Sequence, residues 1–229
     1  MTASRSQHDR WNDWHSRMIA DDPEPFHYIF RENFLHEVRQ RGAKGRVLEL
    51  GCGQGADSIF LANAGCFVDG VDFSANAIER AVAKSEELGV DVTFSCRDLE
   101  KPLPYTDDEF DGVFSYLSLH YFDRRATTRL FHEIGRVLVL GGVLAFCVRS
   151  VKDPMYARGT RLEHNMFCNN GHIRHFFSEE DVASLLTKWN IVEIGRRNIQ
   201  YLDETRPLGD IVHAIAIKTP APGCEKFHK

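Results

Sequence analysis

The sequence has no apolar run near the roughly 20 residues that a membrane span needs. Its polar stretch 1–10 lacks the apolar core of a signal peptide. It has no basic excess: 28 Lys and Arg stand against 33 Asp and Glu, a formal net charge of −5. Nucleic-acid binding usually leaves a basic footprint, and none shows globally. There is no Cys-x-x-Cys pair and no dense cysteine spacing among its six cysteines. Cys66, Cys96 and Cys147 fall in apolar, strand-like runs and read as buried free thiols in a reducing compartment. No internal repeat or low-complexity linker interrupts the chain. These absences set the expectation of a cytoplasmic protein, monomer or homodimer, with neither nucleic acid nor membrane as partner.

What is present is an alternation of strand and helix patterns, which argues for a parallel sheet with helices on both faces. At 229 residues the chain suits one α/β domain with a sizeable core. Phe26, Ile29, Phe30, Phe34 and Val38 keep a helical period over 26–40. Strands are expected at 46–50, 66–71, 90–96, 110–117 and 143–148. Helices are expected at 54–64, from Ser74 to about 88, and at 128–138. Residues 150–177 read as irregular and rich in His, Arg and Asn. Ser178 to Asp181 looks like a capping box, opening a helix striped by Val182, Leu185, Leu186 and Trp189. Two last strands, 191–197 and 211–218, have no long helix between them and should pair antiparallel. The organisation expected is an N-terminal helical cap (1–44), a ligand-binding domain (45–220) with a covering insert at about 150–177, and a flexible tail (221–229).

The chemistry centres on Val47 to Ser74, where Gly51, Gly53 and Gly55 alternate after a strand and Asp72 follows one helix later. Gly51-x-Gly53-x-x-Ala56 fits the dinucleotide fingerprint, and Asp72 lies about 20 residues on, as a ribose-binding acid should. An NAD(P)-dependent oxidoreductase is therefore one reading. Three features favour another adenosyl ligand. Glu49 stands two residues before Gly51, where a carboxylate repels a pyrophosphate but tolerates a sulfonium ligand with an ammonium group. About 45 residues, including a full helix, precede the first strand. Asp98 follows the third strand, so Glu49, Asp72 and Asp98 converge on one crevice at the switch point of a doubly wound sheet.

Glu49-x-Gly51-x-Gly53-x-Gly55, Asp72, Asp98-Leu99, Phe110 to Val113 and Glu133 to Gly142 together resemble the class I S-adenosylmethionine-dependent methyltransferases. Residues 117–122 and 174–178 resemble that family's small-molecule branch, which includes tellurite-resistance-type proteins. The resemblance implies a Rossmann-like fold, a seven-stranded mixed sheet with helices on both faces. That strand number comes from the family. It also implies S-adenosylmethionine as cofactor, S-adenosylhomocysteine as product and a small-molecule acceptor with an O, N or S nucleophile.

By the same resemblance Gly51 and Gly53, with Cys52 and Gly55, let the backbone approach the methionine portion. Asp72 accepts from the ribose hydroxyls, with Ser74 beside it. Asp98 accepts from the adenine amino group near the Leu99 amide, and Phe73 packs on the adenine. Ser115 or Tyr116 borders the sulfonium, and Trp11 or Trp14 covers the cofactor. The chain departs from the family at 138–142, where Leu-Val-Leu-Gly-Gly replaces Leu-Lys-Pro-Gly-Gly. It also lacks an Asn/Asp-Pro-Pro-Tyr motif after the fourth strand, which weighs against a DNA-adenine or protein-glutamine methylase.

Methyl transfer is an in-line displacement that needs alignment above all. An acceptor that must lose a proton also needs a base, and His120 with Tyr121, directly after strand 4, are the candidates. Arg158, His164 and His175 are candidates for holding a polar or anionic substrate. His164, Cys168, His172 and His175 have spacings that can ligate zinc, but that spacing needs a helix and Cys168 to Gly171 reads as a turn, so no metal is expected. A protein that keeps the cofactor pocket without turnover is a third reading.

Overall fold

A computed structural model describes residues 7–17, 25–42, 45–199 and 209–220. The tail expected at 221–229 lies outside them. Seven strands form one sheet in the order β3-β2-β1-β4-β5-β10-β9. They are β1 (Arg46–Leu50), β2 (Phe67–Asp72), β3 (Thr93–Cys96), β4 (Phe110–Tyr116), β5 (Leu138–Arg149), β9 (Trp189–Ile199) and β10 (Gly209–Lys218). The pairs from β3 to β5 are all parallel, while β10 runs antiparallel to both β5 and β9. Strand order reverses between β1 and β4, and the ends of these strands open the crevice where α/β sheets bind ligands.

Both sheet faces are covered, so apolar residues of the central strands point to both faces rather than to one. In β5, Leu144, Phe146 and Val148 pack on one face, against Phe131 and Ile134 of α5 (Arg124–Val137). Val143, Ala145 and Cys147 pack on the other, against Phe30, Phe34 and Val38 of α2 (Pro25–Gln40). Gly112 of β4 makes room for that second layer, since a Cβ there would lie 2.6 Å from the Phe34 ring. The remaining helices are α1 (Gln7–Arg17), α3 (Ala56–Asn63), α4 (Ala75–Leu88) and α6 (Glu179–Leu185). Ser74 caps α4 by accepting from the Ala77 N–H, as expected of it.

The structure departs from the sequence expectation at four places. First, α5 starts at Arg124, because Asp123 caps it by accepting from the Ala126 N–H at 2.7 Å. Its polar first turn hid that start. Second, β5 starts at Leu138, directly from α5, and a register shift opposite Phe110 and Gly112 absorbs the Gly141-Gly142 pair. Third, the segment expected to be irregular carries an antiparallel sheet of β6 (Thr160–Glu163), β7 (Met166–Asn169) and β8 (His172–His175). Asn170 and Gly171, both at positive φ, close the β7–β8 hairpin; Asn-Gly is the residue pair such a turn requires. Fourth, Trp189 opens β9 instead of closing the α6 stripe. The Ser178–Asp181 capping box is present.

Candidate functional site

The turn after β1 is pinned to β2, with the Gly51 and Cys52 N–H groups both donating to the Val71 carbonyl at 2.8 and 3.0 Å. Gly51, Gly53 and Gly55 all have left-handed φ, at 72°, 52° and 79°, a conformation glycine adopts at least cost. Two of them are also required by the protein's own packing. A Cβ on Gly51 would sit 2.3 Å from the Ser118 Cβ, and one on Gly55 would sit 2.7 Å from the Phe94 ring. Gly53 has more room, its nearest neighbour being the His15 ring at 3.4 Å.

The acids sit at the strand ends in two different situations. Asp72 is buried, its Oδ2 accepting from the Gly53 N–H at 3.0 Å and its Oδ1 from the Ser74 N–H at 2.8 Å. Burial raises its pKa, and those backbone donors oppose the rise. Asp98 is half-buried at the cavity, with Oδ1 accepting from the Glu100 N–H at 2.9 Å. Glu49 lies beneath the turn, accepts a hydrogen bond from the Ser58 hydroxyl and is 2% exposed. Burial, with Asp57 and Asp72 nearby, pushes its pKa well above the usual carboxylate range. That direction lessens the repulsion a phosphate would meet there, so the electrostatic argument against a dinucleotide weakens.

Asp72 and Asp98, but not Glu49, border a cavity of about 410 Å³, within the size range of small-molecule sites. One half is walled by the sheet: Gly51, Gly53, Asp72, Phe73, Asp98 and Leu99. The other half is walled by Trp11, Tyr116, Tyr121, Phe122, Met166 and Ile173. Helix α1 closes the top. The Asn12 side chain accepts from the Ser74 hydroxyl at 2.7 Å, its carbonyl accepts from Asn76 at 3.1 Å, and the Ser16 carbonyl accepts from Arg80 at 2.6 Å. Trp11 makes edge contacts with Tyr121 at 5.0 Å and His172 at 5.7 Å. His15 also borders the cavity, and burial beside Arg80 lowers its pKa to about 4.

Several expected residues stand behind the walls. Ser115 is fully buried, donating to the Leu50 carbonyl at 2.8 Å and lying 2.6 Å from the Ser118 hydroxyl; Ser118 is the serine on the cavity. Cys52, Gly55 and Ser74 support the turn from within. Arg158 and His164 are exposed, and His175 is buried against Phe177 at 4.2 Å, none of them on the cavity wall. The Trp14 side chain lies outside the described residues, and Trp11 is the described tryptophan on the cavity. Among the described residues, no three His, Cys, Asp or Glu side chains gather to hold a metal.

Tyr121 touches the cavity, while His120 sits behind it with ring centroids 4.2 Å apart. His120 is fully buried, and neither ring nitrogen has a hydrogen-bond partner among the described residues. Burial, with Arg149, Arg174 and His175 nearby, holds its pKa well below 6.5, so the ring is neutral at pH 7.

Sequence reasoning did not single out His15, Glu100, Leu117, Ser118, Phe122, Asp123, Met166 or Ile173, all of which border the cavity. A signal existed for one of them. His15 lies four residues from Trp11 on the same helix, hence on the same face.

A family described as "Methyltransferase domain" matches residues 47–142. A Geobacillus sp. protein that carries the name methyltransferase is 31% identical over 139 residues, 60% of this chain and 55% of that one. The chain spans about half the length of the first curated relatives it matches. A SAM-dependent methyltransferase from Methanosarcina mazei superposes with a TM-score of 0.69 at 22% identity, over 80% of this chain and 98% of that one. Magnesium protoporphyrin IX methyltransferase from Synechocystis, solved with bound SAM, superposes with a TM-score of 0.64 at 19% identity, over 93% and 95%. At these identities the structural likeness is one of fold.

Proposed function

We propose that this chain, whose residues 47–142 form a methyltransferase domain of the class I S-adenosylmethionine-dependent fold, moves a methyl group from S-adenosylmethionine to a small-molecule acceptor. The observation that carries this reading is a convergence. Gly53, Asp72 and Asp98 meet on one cavity, which continues past them into a second, largely apolar half.

The wall residues fit the cofactor. Asp72 accepts from the Gly53, Ser74 and Phe73 backbone and keeps accepting capacity for a ribose hydroxyl. Asp98 Oδ2, 3.8 Å from the exposed Lys101 ammonium, has accepting capacity for the adenine amino group, and Phe73 and Leu99 would border the ring. Gly53 leaves space for the methionine portion. Tyr116 and Ser118 border the sulfonium. Glu49 acts on the site only through the turn above it. When bound, S-adenosylmethionine supplies a methyl carbon already activated by the sulfonium. The task of the chain itself is to align the acceptor and exclude water.

Trp11, Tyr121, Met166 and Ile173 align the acceptor. His120 is a poor general base, because a proton on its buried ring would face Arg149 and Arg174. It serves as a positioning residue behind Tyr121. The small-molecule acceptor is also supported by analogy, since one protein of this fold is named for its action on magnesium protoporphyrin IX. The oxidoreductase reading gives Asp98 no role, although Asp98 is on the cavity wall.

The test is to incubate the protein with methyl-labelled S-adenosylmethionine and a cell extract. Label should move into the low-mass fraction. Label confined to protein or RNA would remove the small-molecule acceptor from the proposal.

A further inference from the structure

The charges around the cavity narrow the acceptor. Four carboxylates border it: Asp72, Asp98, Glu100 and Asp123. No lysine or arginine does, among the described residues. His15, the histidine on the wall, has its pKa lowered to about 4 and is neutral at pH 7. Lys101, 3.8 Å from Asp98 Oδ2, is off the wall, and other neighbouring cations belong elsewhere. Arg174 lies 5.9 Å from the Tyr121 ring centroid, and the Arg10 guanidinium covers Gly171, where a Cβ would meet it at 2.4 Å. Of the four acids, Asp72 and Asp98 fall to the cofactor. Asp123 is exposed and caps α5 through its Oδ1.

The half left for the acceptor is walled mainly by rings and aliphatic groups. Met166 and Ile173 share one face of the β7–β8 hairpin, since Met166 pairs with His175 and Ile173 with Cys168. Trp11, Tyr121 and Phe122 line the same cavity, Trp11 lying 5.7 Å from the His172 ring of that hairpin. Aromatic and sulfur-bearing walls of this kind favour flat apolar bodies and attract cations. An anion entering here would lose its hydration, gain no opposite side-chain charge on the wall and face carboxylates at the rim.

Resting on the methyltransferase reading, we propose that the acceptor carries no net negative charge. It is a neutral or cationic molecule with an aromatic or apolar body, held among Trp11, Tyr121, Met166 and Ile173. The residues that set this preference lie on α1 and on the hairpin, outside the stretch 47–142 that the family match covers.

The experiment uses the full chain and matched acceptors that share a ring and a nucleophile: catechol, dopamine and 3,4-dihydroxybenzoate, then thiophenol against 4-mercaptobenzoate. Calorimetry with S-adenosylhomocysteine comes first. If it does not bind, the methyltransferase reading fails, and this inference with it. If it binds, methyl transfer is measured on each set, and binding to the S-adenosylhomocysteine complex is measured in parallel. The neutral and cationic members should exceed their carboxylated partners at least tenfold in kcat/KM, or in affinity where no turnover occurs. Carboxylated members that match or exceed their partners, or a panel whose neutral and cationic members all fail to bind at millimolar concentration, would overturn the inference and leave the cofactor reading intact. Ile173→Lys, checked by its melt and its S-adenosylhomocysteine affinity, places a cation on the wall. It should shift the ratio about tenfold toward the carboxylated member. An unchanged ratio in a folded variant would remove Ile173 from the acceptor wall. Met166→Lys makes the same test if Ile173→Lys does not fold.

Discussion

The two halves of the cavity are built differently. The sheet half takes its residues from Gly51 to Leu99, at the ends of adjacent parallel strands, where backbone pairing fixes their positions. The acceptor half takes Trp11, Tyr121, Met166 and Ile173 from a helix, a short 3-10 turn and a hairpin that are far apart in sequence. Their titratable groups differ too. Glu49 and Asp72, on the sheet side, have raised pKa values. His120, His172 and His175, on the acceptor side, have lowered ones, as does His15 of α1, whose ring packs over Gly53. On the proposed reading, a platform for the cofactor is joined to a separately built cover that selects the acceptor.

The largest expected effect breaks the sheet half. Asp72→Ala removes the acceptor of the Gly53 and Ser74 N–H groups and of the ribose hydroxyls. It should cost about 3 kcal/mol, roughly a hundredfold in S-adenosylhomocysteine affinity. Calorimetry checks this, and a change of less than about twofold would contradict it.

Trp11→Ala tests the other half. It removes the ring lodged against Tyr121 and His172. Acceptor KM should rise about tenfold, the order of one lost aromatic anchor. S-adenosylhomocysteine affinity should fall less than the acceptor KM rises. Equal losses would mean that the two halves do not work separately.

Acid should separate the halves by stability. A histidine whose folded pKa lies below 6.5 is neutral in the fold and protonated in the unfolded chain just below pH 6.5. Its contribution is fully present above 6.5 and is lost as pH falls toward the folded pKa, which for His15 is about 4. Each histidine that differs by a full proton costs about 1.4 kcal/mol per pH unit. Glu49 and Asp72 run the other way: their folded state holds protons that the unfolded chain has released, so acid favours them. Hydrogen exchange, corrected for intrinsic rates, should show α1 and the β7–β8 hairpin losing protection between pH 7 and pH 5 before β1, β2 and β3. Uniform loss would erase the distinction.

The smallest effect is expected at His120. His120→Leu removes a buried ring with two unmet nitrogens, so it should change stability by less than about 1 kcal/mol. The dependence of kcat on pH between 6 and 8 should keep its shape. A titration that disappears in the variant would make His120 a base after all.

The sheet half was largely legible in the sequence because its chemistry is local. A glycine turn, one helix length and an acid specify a strand-turn-helix-strand unit and the place of its turn. Even so, the sequence did not reveal that the bare Cα atoms of Gly51 and Gly55 serve Ser118 and Phe94, since both contacts cross the fold. The acceptor half was not legible. Its residues are ordinary apolar types, and only tertiary packing selects Met166 and Ile173 from many like them. Charged residues drew attention in the 150–177 segment, yet Arg158 and His164 face solvent. The turn expected over Cys168 to Gly171 closes a hairpin, and only the register of that hairpin places Met166 and Ile173 on one face.

The most direct test is a calorimetric titration of the purified protein with S-adenosylhomocysteine, S-adenosylmethionine and NADH side by side. The account predicts micromolar binding of both adenosyl ligands and no heat from NADH. Binding of NADH alone would contradict it and assign the glycine turn and Asp72 to a dinucleotide.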